Sequence, residues 1–175
     1  LAGLGTNTFT GDQVINGVTV GKGANSVNGN TVLGESALDA SVSGGSNTAI
    51  GNNALTTLTS GGNNVAVGAN SLKLNTTGSR NTAIGTDALD ALTTGSFNTA
   101  VGKDAMGANT TGHQNVAVGV SALEANTTSF GNTALGKSAL ASNTTASNNT
   151  AVGFNSLTAN TTGTQGVAVG SLALN

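Results

Sequence analysis

The chain has 175 residues and a formal net charge of −2, and charged side chains make up 7% of it, against roughly 25% in typical soluble domains. With no Pro, Cys, Trp or Tyr, it offers neither disulfides nor thiolate metal sites. No basic patch with interleaved aromatics marks a nucleic-acid partner, and so small a net charge points to no polyanion or anionic membrane.

No apolar run approaches the ~20 residues that span a bilayer, so this segment is not expected to insert into a membrane. The start lacks a basic-then-apolar signal peptide. Without an initiator Met, and stopping partway through a repeat unit at Asn175, the chain reads as a piece of a longer protein. So polar and weakly charged a composition would suit disorder, were it not for apolar residues at fixed intervals.

Residues 1–16 precede the periodic region and are expected to cap one end or to connect to an earlier element. A 13-residue unit then starts at Gly17. Units of 17 residues follow without insertion or deletion, starting at Asn30, Asn47, Asn64, Asn81, Asn98, Asn115, Asn132, Asn149 and Gly166. The consensus is N-T-A-V-G-x-x-A-L-x-x-N-T-T-G-x-x. Position 3 is Ala from Ala49 to Ala168, position 5 is Gly from Gly21 to Gly170, and position 9 is Leu, or Met at Met106, from the Asn30 unit onward. A fixed period of this length is the mark of a stacked-repeat architecture.

Within a unit, the Thr-Ala-Val-Gly stretch is β-branched and long enough for one short strand. The stretch after position 5, such as Glu35-Ser-Ala-Leu-Asp-Ala, allows about one and a half helical turns, too few to stand alone. Asn-Thr-Thr-Gly has turn chemistry. The expected fold is therefore all-β: a parallel β-roll, or β-solenoid, over residues 17–175, with two short strands and two turns per coil. About ten coils at the ~4.8 Å strand separation would stack to about 48 Å.

Charge placement bears on which side is inside. Of the twelve charged side chains, Asp12 alone lies outside the repeats; the rest occupy positions 6, 7, 10 and 17. An unpaired buried charge is costly, so positions 1–5 and 8–9 are expected to be interior. Alternation along the strand sends positions 2 and 4 to one side and 3 and 5 to the other. The larger Val or Ile of position 4 is expected to fill the coil with the Leu of position 9, leaving the small Ala and Gly to meet a second wall. Such a core gives only a few kcal/mol per coil, against more than ~17 kcal/mol of backbone entropy for 17 residues. A homo-oligomer with a shared core follows, with three-fold symmetry the natural choice.

Nothing in the chain assembles the chemistry of an enzyme or calls for a cofactor. His113, at position 16, is a lone imidazole among Gly, Gln and Asn and belongs to no His-x-His metal pair. Asp87, Asp90, Asp104 and Lys103 read as a surface charge cluster. Lys137-Ser138 after Gly136 lacks the strand–helix context of a phosphate loop, and the Gly-Gly-x-Gly-x-Asp pattern of calcium β-rolls does not occur. Phe97 and Phe130 fall in the turns at positions 17 and 16, and Phe154 at position 6. These exposed rings, with His113, are the candidate surface contacts: they suit stacking on a sugar or covering a neighbouring coil or chain. The Thr pairs from Thr76-Thr77 to Thr161-Thr162 should stack into ladders, which raises an ice-binding alternative. Adjacent Thr residues would point to opposite faces of a strand, however, where an ice-binding array wants Thr-x-Thr. The Asn-x-Thr triplets match glycosylation acceptors only because Asn and Thr are repeat positions.

The units N-T-A-V-G-x-x-A-L-x-x-N-T-T-G resemble the head repeats of YadA-like trimeric autotransporter adhesins, and more closely the 17-residue repeats of bacteriophage tail fibres. The lead-in Phe9-Thr-Gly-Asp-Gln-Val-Ile-Asn-Gly-Val-Thr-Val-Gly is similar to that of such fibres, so the resemblance covers roughly residues 9–175. It implies a left-handed parallel β-roll, three chains side by side, and a part in host attachment. The partner would be a host cell-surface receptor or glycan, and the location a virion tail fibre or, alternatively, a bacterial cell surface. Adhesin heads typically use shorter coils, so the 17-residue coil and the lead-in favour the phage form.

Overall fold

The structure, a computed structural model, describes residues 11–175. The first ten residues of the expected cap, Phe9 of the lead-in among them, lie outside the described residues. Eleven strands form one sheet in chain order: β1 Gln13–Ile15, β2 Val18–Gly21, β3 Thr31–Gly34, β4 Thr48–Ile50, β5 Val65–Val67, β6 Thr82–Ile84, β7 Thr99–Val101, β8 Val116–Val118, β9 Thr133–Leu135, β10 Thr150–Val152 and β11 Val167–Val169.

From β3 onward all pairing is parallel, each residue meeting its equivalent one unit later, as Ala49 does Ala66 and Ala100 does Ala117. The expected β-solenoid with a 17-residue coil is the fold. Three expectations about its details are corrected. The stack from β3 to β11 makes eight turns rather than ten. The unit starting at Gly17 is not a coil: β2 runs antiparallel to both β1 and β3, so the end of the lead-in and the short unit together form a hairpin. Thirteen residues are too few to complete a 17-residue circuit, whereas Asn16-Gly17, with φ of 51° and 84°, turns the chain back tightly. The Asp12 carboxylate then accepts the backbone N–H groups of Lys22 and Gly23 at 2.6 Å each, tying the hairpin's two ends together.

The third correction is one strand per coil instead of two. The remaining sides are turns, yet they too are laddered along the axis: Leu55 N donates to Ser71 O, Thr59 N to Thr76 O and Asn63 N to Gly45 O. In each regular coil the residues at positions 7, 9 and 17 take left-handed backbone angles, and all but Gly131 are non-glycine. In the coil starting at Asn81 these are Asp87, Leu89 and Phe97, with φ of 57°, 52° and 63°. Such residues bend the chain sharply enough that no second strand forms, because an extended strand needs negative φ throughout. The position-5 glycines, with φ near 135°, stack backbone on backbone. A Cβ on Gly85 would lie 2.6 Å from Gly102 O, which explains a row that never varies.

The interior differs from the expected one. Positions 3, 8 and 9 are fully buried, as Ala83, Ala88 and Leu89 illustrate, and so is the Asn of position 1. Positions 2 and 4 point outward. The expected inward Val or Ile and outward Ala are therefore reversed. The position-1 Asn fixes the parity: Asn98 N donates to Asn81 Oδ1 at 2.9 Å, and Asn98 Nδ2 donates to Asn81 Oδ1 and to Gly112 O. The same bonds repeat from coil to coil, with Asn47, Asn64, Asn81 and Asn115 in the same roles. With Asn turned inward, alternation brings position 3 inward too, where Ala, or Val32 in the first coil, is buried. A second amide row, at position 12, runs through Asn109, Asn126 and Asn143, with Leu58 and Leu92 filling the same place in two coils. Among the described residues no buried side-chain N or O lacks a partner.

Candidate functional site: the strand face and the aromatic edge

Because the parity is reversed, the outside of the parallel sheet is apolar. Position 4 presents Ile84 at 41% exposure and Leu135 at 47%, with Ile50, Val67, Val101, Val118 and Val152 half-buried between them. Position 2 is Thr in six of nine units and Val in every third, Val116 being 38% exposed. Leu33 and the hairpin's Val18, Val20 and Ile15 carry the same surface to the N-terminal end. No charged residue occurs at position 2 or 4 of any 17-residue unit. A continuous apolar strip of this length is uncommon on a surface that faces only water.

The aromatic residues flank this strip. Positions 16 and 17 form one edge beside it and carry Arg80, Phe97, His113 and Phe130; position 6 borders the other side and carries Phe154. All three rings are exposed, Phe97 at 53%, Phe130 at 43% and Phe154 at 48%. Each sits against a side chain one coil earlier in its own row. The Arg80 guanidinium carbon lies 5.2 Å from the Phe97 ring centre. His113 stacks on Phe130 with ring centres 5.4 Å apart and planes 10° from parallel. Lys137 Nζ lies 5.9 Å from the Phe154 ring centre. His113 is thus exposed as expected, but it is one half of a stacked pair rather than a solitary turn residue. The signal was present in the sequence: each Phe of the repeats follows an Arg, His or Lys by 17 residues. Parallel stacking turns that interval into contact, and cations favour the faces of aromatic rings.

Between Phe97 and His113 the edge opens into a groove lined by Thr94, Gly95, Ser96, Phe97, Thr111, His113 and Gln114. One face of the imidazole rests on Phe130, which leaves its other face toward the small Ser96 of the preceding coil.

The expected charge cluster is brought together on a different side. Asp87, Asp90, Asp104 and Glu124 line a shallow depression, with Lys103 paired to Asp104. Partial burial, and then the neighbouring Asp87, hold the Asp90 carboxyl above its ordinary value of 3.8. The bond to Asp104, with that carboxylate's charge, raises the Lys103 ammonium in turn. Among the described residues no three His, Asp or Glu side chains are placed to hold a metal ion.

The Thr pairs divide by position. Thr76, Thr93, Thr110 and Thr127 each donate the side-chain hydroxyl to the backbone carbonyl of the next Thr in the row, at 3.0–3.2 Å. Their partners Thr77, Thr94, Thr111 and Thr128 are exposed. The free hydroxyls therefore make a single file rather than a two-file array.

No family model, curated protein or solved structure matches the chain. Among the described residues no helix is long and apolar enough to cross a membrane.

Proposed function

We propose that this chain is a non-catalytic structural segment of a homotrimeric fibre that serves attachment to a host surface, in the manner of a bacteriophage tail-fibre shaft. The observation that carries the reading is the uncharged apolar strip on the outside of the parallel sheet. Three chains packed through these faces would enclose it. Burying the exposed half of each Ile, Leu or Val is worth about 1 kcal/mol, and the gain recurs at every coil. The interior supports the same view: beside its Leu row it is filled by Ala and Asn, so each coil of one chain has few large apolar side chains of its own to bury. The 17-residue coil and the lead-in residues favour the tail-fibre form, with a virion location, over the head of a bacterial trimeric adhesin.

The ice-binding alternative is less well supported, because half of the Thr hydroxyls are spent on backbone carbonyls. The test is a pair of charged substitutions on the strip, Ile84→Asp and Leu135→Asp. Both positions are exposed in the single chain, so each variant should keep its β-type circular dichroism while losing the trimer in light scattering. Retention of the wild-type mass by both variants would remove the sheet face as the interface.

A further inference from the structure

The repeat supplies its own baseline for what the fold requires. At positions 16 and 17, four of the eight units hold only Gly, Ser, Asn, Thr or Gln, and their coils close by the same backbone ladder as the others. Phe97, His113 and Phe130 depart from that baseline in three consecutive units on one edge. The solenoid therefore has no need of rings there, and their exposure burdens solubility without filling any core.

We propose that this edge is a binding site for an uncharged pyranose saccharide, whose ring stacks in the groove between Phe97 and His113. Three features fit that ligand. Two ring faces are held in place from behind, Phe97 by Arg80 and His113 by Phe130, so ordering them costs little on binding. The groove floor and rim carry the hydroxyls of Thr94, Ser96 and Thr111 and the amide of Gln114, a small set of neutral donors and acceptors suited to sugar hydroxyls. No acidic side chain reaches this edge, since all the carboxylates of the repeats lie at positions 6, 7 and 10, and Arg80 is engaged on Phe97. An apolar ring face with a neutral polar periphery matches the two sides of a pyranose.

The site gives the attachment reading its ligand class and rests on that reading for its biological meaning. Its own test is separate: saturation-transfer NMR on the full chain with neutral galactose- and glucose-containing oligosaccharides at millimolar concentration, beside their uronic-acid counterparts. Neutral sugars should give transfer that survives high salt. Phe97→Ala and His113→Ala should each weaken binding roughly tenfold, the loss of one stacking contact. Phe154→Ala, on the other border of the strip, should leave binding unchanged. Absence of transfer from neutral sugars, binding restricted to the acidic ones, or equal binding by all three variants overturns the site. So does a change in oligomeric mass in Phe97→Ala, which would make the ring an inter-chain contact. A monomer that binds refutes the trimeric shaft and spares the site; a trimer that does not bind does the reverse.

Discussion

Replacing Asn98 with Ala tests the amide row in the middle of the stack, where its bonds run to both neighbouring coils. The side chain is 1% exposed. Its Nδ2 donates to Asn81 Oδ1 at 3.2 Å and to Gly112 O at 2.8 Å, while its Oδ1 accepts from Asn115 N at 3.1 Å and from Asn115 Nδ2 at 3.3 Å. After truncation, Gly112 O keeps a bond from Asn109 Nδ2, and Asn115 Nδ2 keeps one to Ser129 O. Asn115 N is left buried without its acceptor. An orphaned buried donor costs about 1–3 kcal/mol, and each net bond lost about 1 kcal/mol, so the expected total is about 3–5 kcal/mol. Asn109→Leu is the comparison: Leu58 and Leu92 already stand in its row, but its Oδ1 accepts from Gly112 N at 2.9 Å, so it should cost about 1–3 kcal/mol, less than Asn98→Ala. Urea unfolding followed by circular dichroism reads both variants at equal chain concentration. A cost under about 1 kcal/mol for Asn98→Ala, or equal losses for the two variants, would refute the view that the position-1 row holds the coils together.

Leu123 occupies position 9 at φ 52°, where a β-branched side chain is strained. Leu123→Ile should therefore cost about 2 kcal/mol or more at constant volume, whereas Leu123→Met, which copies Met106 in the same row, should cost under about 1.5 kcal/mol; urea midpoints compare the two. For Asp90, burial holds the folded-state carboxyl above its ordinary 3.8, so the folded chain keeps the proton to higher pH than the unfolded one and stability falls as pH rises through the raised value. Asp90→Asn should accordingly raise the melting temperature at pH 7, and the gain should shrink as pH falls to about 3.8 and below; a gain that is constant with pH would contradict this. Ile84→Asp and Leu135→Asp should separate the chains without unfolding them, as judged by scattering mass beside circular dichroism.

Much of the architecture was legible because the period itself carries it. The interval from Asn47 to Asn64 to Asn81, the confinement of charge to positions 6, 7, 10 and 17, and the Asn-Thr-Thr-Gly turns together define a parallel solenoid. The parity of the strand was not legible, because size alone favours Val or Ile over Ala as the inward residue. What overrides size is the Asn row, whose bonds run between residues 17 apart and therefore exist only once coils are stacked. The same applies to the ring pairs. Phe97 and Phe130 look solitary along the chain, and Arg80 and His113 become their neighbours only through the stack. The left-handed angles of Leu89 and its equivalents were hidden for another reason: Leu has no intrinsic preference for them, and the closed coil imposes them.

The most direct test of the account is the solution mass of the chain, by light scattering or sedimentation, with circular dichroism on the same sample. The account predicts a β-rich particle of three times the 16.7 kDa chain mass. A folded β-rich particle of 16.7 kDa would contradict it, since the apolar strip would then stand in water along the whole stack.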